Sequence, residues 1–109
     1  MANGAVDFFC SFTTKRNEVL KVCIEVKNAH GAGLEHGISK QLPAYMDAER
    51  TRHGIYLVLW YKGTDWPKPD KFDSIDEMMA SLEAMKPKDG YCIDVMTVNC
   101  TKPVEPSKM

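Results

Sequence analysis

The chain carries no glycine-rich phosphate loop and no G-x-S-x-G element, so nothing points to a nucleotide cradle or a nucleophile elbow. No two of its cysteines, Cys10, Cys23, Cys92 and Cys100, stand at C-x2-C spacing, which argues against a zinc knuckle. All four fall in or beside strand-like segments, where cysteine usually acts as a small buried hydrophobe. That usage fits a reducing, cytoplasmic protein. The longest apolar run, Ile55–Tyr61, is far too short to span a bilayer, and no membrane partner is expected. The first residues have neither the basic nor the apolar region of a signal peptide. A charge imbalance is also missing: 14 Lys and Arg face 15 Asp and Glu, for a net charge of −1. Bulk charge therefore does not advertise a nucleic-acid binder, although a local basic strip can sit on a neutral domain. His30, His36 and His53 show no metal-ligand spacing and read mostly as surface residues.

What is present is ordinary globular composition, 44 % hydrophobic and 27 % charged over 109 residues. This predicts one domain over residues 1–100, followed by a flexible tail over 101–109 that contains two prolines and two lysines. Val6–Phe12 alternates and is rich in aromatics, so it reads as a strand. Glu18–Lys27 reads as a second strand, joined to the first by the polar turn Thr13–Asn17 as a hairpin. Leu34–Arg50 has helical spacing, with Leu34, Ile38, Gln41, Leu42, Tyr45 and Met46 on one side. Gly37 and Pro43 predict a kink or a start within it. The run in Gly54–Lys62 fits a central strand buried on both faces. Ser74 and Glu77 form a capping box that opens a helix carrying Ile75, Met78, Met79, Leu82 and Met85 and stopping before Pro87. Tyr91–Val98 is the last strand. The order is β-β-α-β-α-β, an α/β protein with a mixed sheet flanked by helices.

Some polar residues stand out from this frame. Glu25 and Lys27 are two apart and project from one face of their strand. If opposite residues in the hairpin sum to 32, Asp7 faces Glu25; if they sum to 30, it faces Cys23. Either even register puts Asp7 on the face of Glu25 and Lys27, and an odd one separates them. Two neighbouring carboxylates repel unless neutralised. Lys27 supplies one positive charge, and Mg²⁺ or Mn²⁺, which suit hard oxygen ligands, would supply the rest. Such an ion polarises a phosphoryl oxygen and lowers the pKa of bound water. A solvated E-x-K pair beside an aspartate is the plain alternative. Gln41 and Tyr45 share a helical face with apolar neighbours, and a glutamine there needs a partner, which a strand end can supply. Trp60 reads as core, whereas Trp66, between Asp65 and Pro67, is a candidate for base stacking.

Val6 and Asp7 on one strand, Ile24–Lys27 (I-E-V-K) on the next, and Gln41 and Tyr45 (Q-x3-Y) on the following helix together resemble the PD-(D/E)XK nuclease superfamily. The helix element is similar to that of its RecB-type branch. The resemblance covers about residues 6–62 and includes Gly37–Met46 (GISKQLPAYM) and Gly54–Leu59 (GIYLVL).

The resemblance implies a restriction-endonuclease-like core and a Mg²⁺- or Mn²⁺-dependent nuclease acting on DNA through an activated water. Asp7 and Glu25 would ligate the metal, helped by the backbone carbonyl of Val26. Lys27 would orient the water or stabilise the pentavalent phosphate. Gln41 and Tyr45 would support the site and approach the DNA strand, and Lys40 and His30 would touch phosphates. The family core begins with a helix and a first strand, whereas six residues precede Asp7 here. That departure implies the C-terminal part of a larger protein, or a missing piece supplied by a homodimer partner or an N-terminal segment. The alternatives are a catalytically inactive nuclease-fold module for DNA binding or protein assembly, and an unrelated small α/β interaction domain.

Overall fold

The computed structural model describes residues 7–101. The expected tail therefore lies, beyond Thr101, outside the described residues, as does Val6. Strand β1 (Phe8–Thr13) and strand β2 (Val19–Asn28) form the antiparallel hairpin. Its turn is closed by hydrogen bonds from the Thr14 and Asn17 amides to the Glu18 and Thr14 carbonyls, and Asn17 takes a left-handed φ of 63°. Asparagine tolerates that conformation better than most residues.

The chain then becomes helical from Leu34 to Ala48, but not uniformly. α1 (Leu34–His36) runs into a π-helical stretch, Gly37–Gln41, and then into α2 (Leu42–Ala48). The expected kink is thus a local widening rather than a break. Pro43 has no amide hydrogen to return to the preceding turn, and a wide turn just before it accommodates that loss. Strand β3 (His53–Trp60), helix α3 (Ile75–Met85) and strand β4 (Cys92–Asn99) complete the chain. The capping box is present at the start of α3, where the Glu77 amide donates to Ser74 Oγ at 3.1 Å.

The four strands lie in the order β1-β2-β3-β4, with β2, β3 and β4 mutually parallel. Cys23, Tyr56, Val58, Trp60, Ile93 and Val95 all lie on one face of this sheet, buried with Leu34, Ile38, Leu42, Met46, Met78 and Leu82 of the helices. Both crossover helices therefore cover one face. β3 departs from its expected burial on both sides. Gly54, Tyr56, Val58 and Trp60 are buried, while Ile55, Leu57 and Leu59 are only half-buried because no layer covers them. The same asymmetry corrects the cysteines: Cys23 is buried, but Cys10 and Cys92 point to the uncovered face and are exposed. All four thiols are free. No described helix is long and apolar enough to cross a membrane.

Gly37 sits where the π-helical stretch presses on β3. A Cβ at this position would run into the Tyr56 ring and hydroxyl. That hydroxyl in turn donates to the Leu34 carbonyl. Gly37→Ala is expected to destabilise the fold by about 1–3 kcal/mol in urea denaturation, a typical overpacking cost. Combining it with Tyr56→Phe, which removes the clashing oxygen, should cost less than the two single changes summed.

Candidate functional site

The hairpin register settles which residues meet. Phe8 pairs with Ile24 and Phe9 with Cys23, so opposite residues sum to 32 and Asp7 stands across from Glu25. The Asp7 carboxylate also accepts from the Val26 amide at 2.8 Å. In an extended strand a residue's N–H and C=O point to the same side, so the Val26 carbonyl lies on the side where Asp7 sits.

Glu25 is on the helix-covered face and is only 4 % exposed. Its Oε2 is buried and has no hydrogen-bond partner among the described residues. Burial pushes the Glu25 carboxyl up to about 7, reinforced by hydrogen bonding with and repulsion from Asp7, while Lys27 opposes the rise. Asp7 is displaced the other way. The hydrogen bond from Glu25 lowers it, and the Val26 amide and the Lys27 charge add to that against partial desolvation. The two carboxyls thus divide their roles, Glu25 tending to hold the shared proton and Asp7 staying ionised. Lys27 follows two positions along the same face, and no described salt bridge engages it.

The helical side covers Glu25, while Asp7 at the sheet's edge stays exposed. Burial raises the Tyr45 hydroxyl, and the negative potentials of Glu25 and Asp7 raise it further, so the ring stands within electrostatic reach of both. Gln41 lies one turn earlier, and its Oε1 is likewise buried without a partner among the described residues. The proposed partner at a strand end is therefore not found. Tyr56, whose Cα is in register with Glu25, backs the site. Its burial and the nearby Glu25 both raise its hydroxyl. Sequence reasoning missed Tyr56 because it looks like one more apolar-run residue.

The remaining candidates separate. Lys40 is exposed on the π-helical stretch and takes part in no side-chain hydrogen bond or ion pair among the described residues. His30 and Trp66 come together in the loops that follow β2 and β3. Their ring centroids are 5.5 Å apart, edge to face, and Tyr61 meets His30 in the same way at 5.9 Å. Trp66 and Tyr61 are 45 % and 38 % exposed, so the cluster presents aromatic surface to solvent. In the sequence Tyr61 is inconspicuous, since it ends the apolar run that forms β3. A cavity of about 360 Å³ opens beside His30, lined in part by Glu35, Lys68, Asp70 and Lys71. Both of its lysines are already paired, Lys71 with Glu35 and Lys68 with Asp70, so it offers no free cation.

Among the described residues no group of three or more His, Cys, Asp or Glu side chains converges on a point. The carboxyl pair instead offers two carboxylates and a backbone carbonyl, and Gln41 adds an amide oxygen one helical turn before Tyr45. Two of those oxygens are buried without partners, which is the chemistry a hard cation or an ordered water satisfies.

This is an α/β domain with a coupled carboxyl pair on the covered face of its sheet. A family model for a domain of unknown function (DUF8371) matches residues 1–63, and the chain belongs to that family. The matched stretch contains Asp7, Glu25, Lys27, Gln41 and Tyr45 and ends before Trp66. No curated protein and no solved structure matches the chain.

The raised Glu25 pKa fixes the sign of a pH effect. A carboxyl whose pKa is higher in the fold than in the open chain loses stability as pH rises from its ordinary value of 4.5 to about 7. Asp7, lowered, acts oppositely and only below its ordinary 3.8. Glu25→Gln should therefore melt like the parent near pH 4 and become progressively more stable than it towards pH 8. The advantage there should approach roughly 3 kcal/mol by thermal or urea denaturation. A constant difference across this range would remove the carboxyl coupling.

Proposed function

We propose that this chain is a metal-dependent nuclease domain of the PD-(D/E)XK type, hydrolysing DNA phosphodiester bonds from a restriction-endonuclease-like core. The observation that carries the reading is the buried, unpartnered Glu25 oxygen opposite the Asp7 carboxylate, with Lys27 on the same face. A buried carboxylate with a second one directly opposite is costly unless a cation neutralises it. Asp7 and Glu25, with the Val26 carbonyl, would hold Mg²⁺ or Mn²⁺, which prefer oxygen donors and keep several waters. Bound there, the ion would make one of those waters nucleophilic and polarise the phosphoryl oxygen.

The chain's own groups have distinct tasks in this reading. Asp7 is fixed by the Val26 amide and is ionised throughout the neutral range. Glu25 must give up its proton to act as a ligand, so activity is expected to rise with pH towards and beyond 7. Lys27 orients the attacking water or stabilises the charge that develops on the phosphate. Gln41 and Tyr45 hold the carboxyls and water in place from the helical side. His30, Tyr61 and Trp66 offer exposed aromatic faces for an unstacked base. The four free thiols support action in a reducing compartment such as the cytoplasm.

The test is incubation of the purified chain with supercoiled and single-stranded DNA in Mn²⁺, Mg²⁺ or EDTA. Cleavage should require the metal and fall on the order of 10²–10³-fold in Lys27→Ala. It should fall about 10–100-fold in Gln41→Ala. It should disappear in Glu25→Gln, whose stability at pH 8 keeps unfolding from explaining the loss. DNA left intact by a folded chain in Mn²⁺ would overturn the nuclease reading in favour of an inactive module of the same fold.

Binding provides an independent measure. Trp66→Ala is expected to weaken association with a short single strand by about 1–3 kcal/mol in an anisotropy titration, with duplex binding less affected.

A further inference from the structure

The uncovered face of the sheet is the largest feature that the carboxyl site does not use. All four strands contribute apolar side chains to it, among them Phe8 and Phe12 of β1, Ile24 of β2, Leu57 of β3 and Met96 of β4. Phe8 is 58 % exposed, Phe12 65 %, Leu20 51 %, Met96 51 % and Val98 45 %. Such a continuous apolar surface marks an interaction site in a soluble domain. From this face we infer that the chain pairs with a second copy of itself, sheet against sheet.

Two observations select a second copy as the occupant. The first is area. Four strands at a spacing of about 4.8 Å and six residues at about 3.3 Å give roughly 19 by 20 Å, or about 400 Å² in projection. A corrugated side-chain surface exposes more than its projection. Even in flat projection the face is thus about half of the roughly 800 Å² per partner that a standard interface buries, with the side-chain relief adding to it, which suits a small two-fold interface.

The second is charge. The strands place one carboxylate on this face, Asp94, and it lies on the edge strand β4, where it would fall at the rim of an interface. His53, at the end of β3, is likewise peripheral. A face without charge at its centre calls for a partner face of the same character, and the chain's own face meets that requirement. Two twisted sheets pack this way with their strands about 30° apart and about 10 Å between layers.

The pairing has a consequence for the carboxyl site. Glu25 lies on the opposite face of the sheet, so the sandwich turns its two sites outward, away from each other. Each would then work on its own strand, and the pair would not close over one duplex. The pairing itself stands independently of the nuclease reading.

The experiment is sedimentation velocity on the whole chain from about 1 to 50 µM, beside Phe12→Lys/Met96→Lys. Both substituted side chains are more than half exposed, so the monomer's core is untouched, and far-UV circular dichroism with thermal melting checks that the variant folds. The parent is expected to sediment as a closed dimer of about twice its 12.3 kDa mass, and the variant as a monomer. Maleimide labelling gives a second readout. Cys10 and Cys92 should react at least tenfold more slowly in the parent than in the variant, with Cys23 slow in both. A monomeric parent at 50 µM, a variant that still dimerises, or an open-ended series of larger species would each overturn the proposal.

Discussion

Three consecutive strands, β2, β3 and β4, run parallel and lie side by side in chain order. Right-handed crossovers between strands laid down in one direction must all pass on the same side. This single constraint sends the helical stretch 34–48 and helix α3 to one face and leaves the other without a layer. Nearly everything distinctive about the molecule follows. The covered face becomes the core, and whatever polar residues β2 presents there are taken out of water. The uncovered face keeps its aliphatic side chains half in solvent. Glu25 is buried because of where the helices pass, although its own chemistry would keep it outside.

That outcome runs against local hydropathy. On β2, Val22, Ile24 and Val26 are the apolar set, and Cys23, Glu25 and Lys27 the polar one. A strand judged alone would turn the valines and isoleucine inward. Burying the polar set instead desolvates a carboxyl, drives its pKa to about 7 and leaves an oxygen without a partner. Local pattern and global fold disagree here, and such conflicts concentrate where a protein does its chemistry. On stability grounds an aliphatic residue at position 25 would serve better. A group that weakens the fold and has a second carboxylate, a lysine and a tyrosine within electrostatic reach is better explained by binding than by packing.

Much of this was legible in the sequence. The hairpin, the apolar run of β3, the Ser74–Glu77 cap and the closing strand all follow from short-range pattern, and the observed elements lie close to where that pattern puts them. The meeting of Asp7 and Glu25 was legible only as a condition, because sums of 30 and 32 satisfy the alternation equally. The turn decides between them. Its closure by Thr14 and Glu18 and the left-handed Asn17 fix the loop length and hence the pairing of Thr13 with Val19. The exposure of Cys10 and Cys92 and the half-burial of Ile55, Leu57 and Leu59 were not legible, since they depend on which side the helices take. Tyr61 and Tyr56 escaped notice for a related reason. In the apolar run each looks like its neighbours, and only the fold makes one back the carboxyl pair and the other join His30 and Trp66.

The π-helical stretch links these scales. Gln41 closes it and Tyr45 follows one turn later, both directed from the helical layer toward the carboxyl face of the sheet. A uniform α-helix from 34 to 48 would rotate everything before the widening relative to everything after it. Gly37 would leave the Tyr56 ring, or Gln41 and Tyr45 would leave Glu25, because a residue inserted into a helix turns one half against the other by about 100°. The wide turn lets both contacts exist together. Pro43, which supplies no amide hydrogen where the α-helix would demand one, makes the widening cheap. A sequence element that reads as a defect in a helix is thus what lets one helical segment grip the sheet at Gly37 and still present Gln41 and Tyr45 to the carboxyl pair.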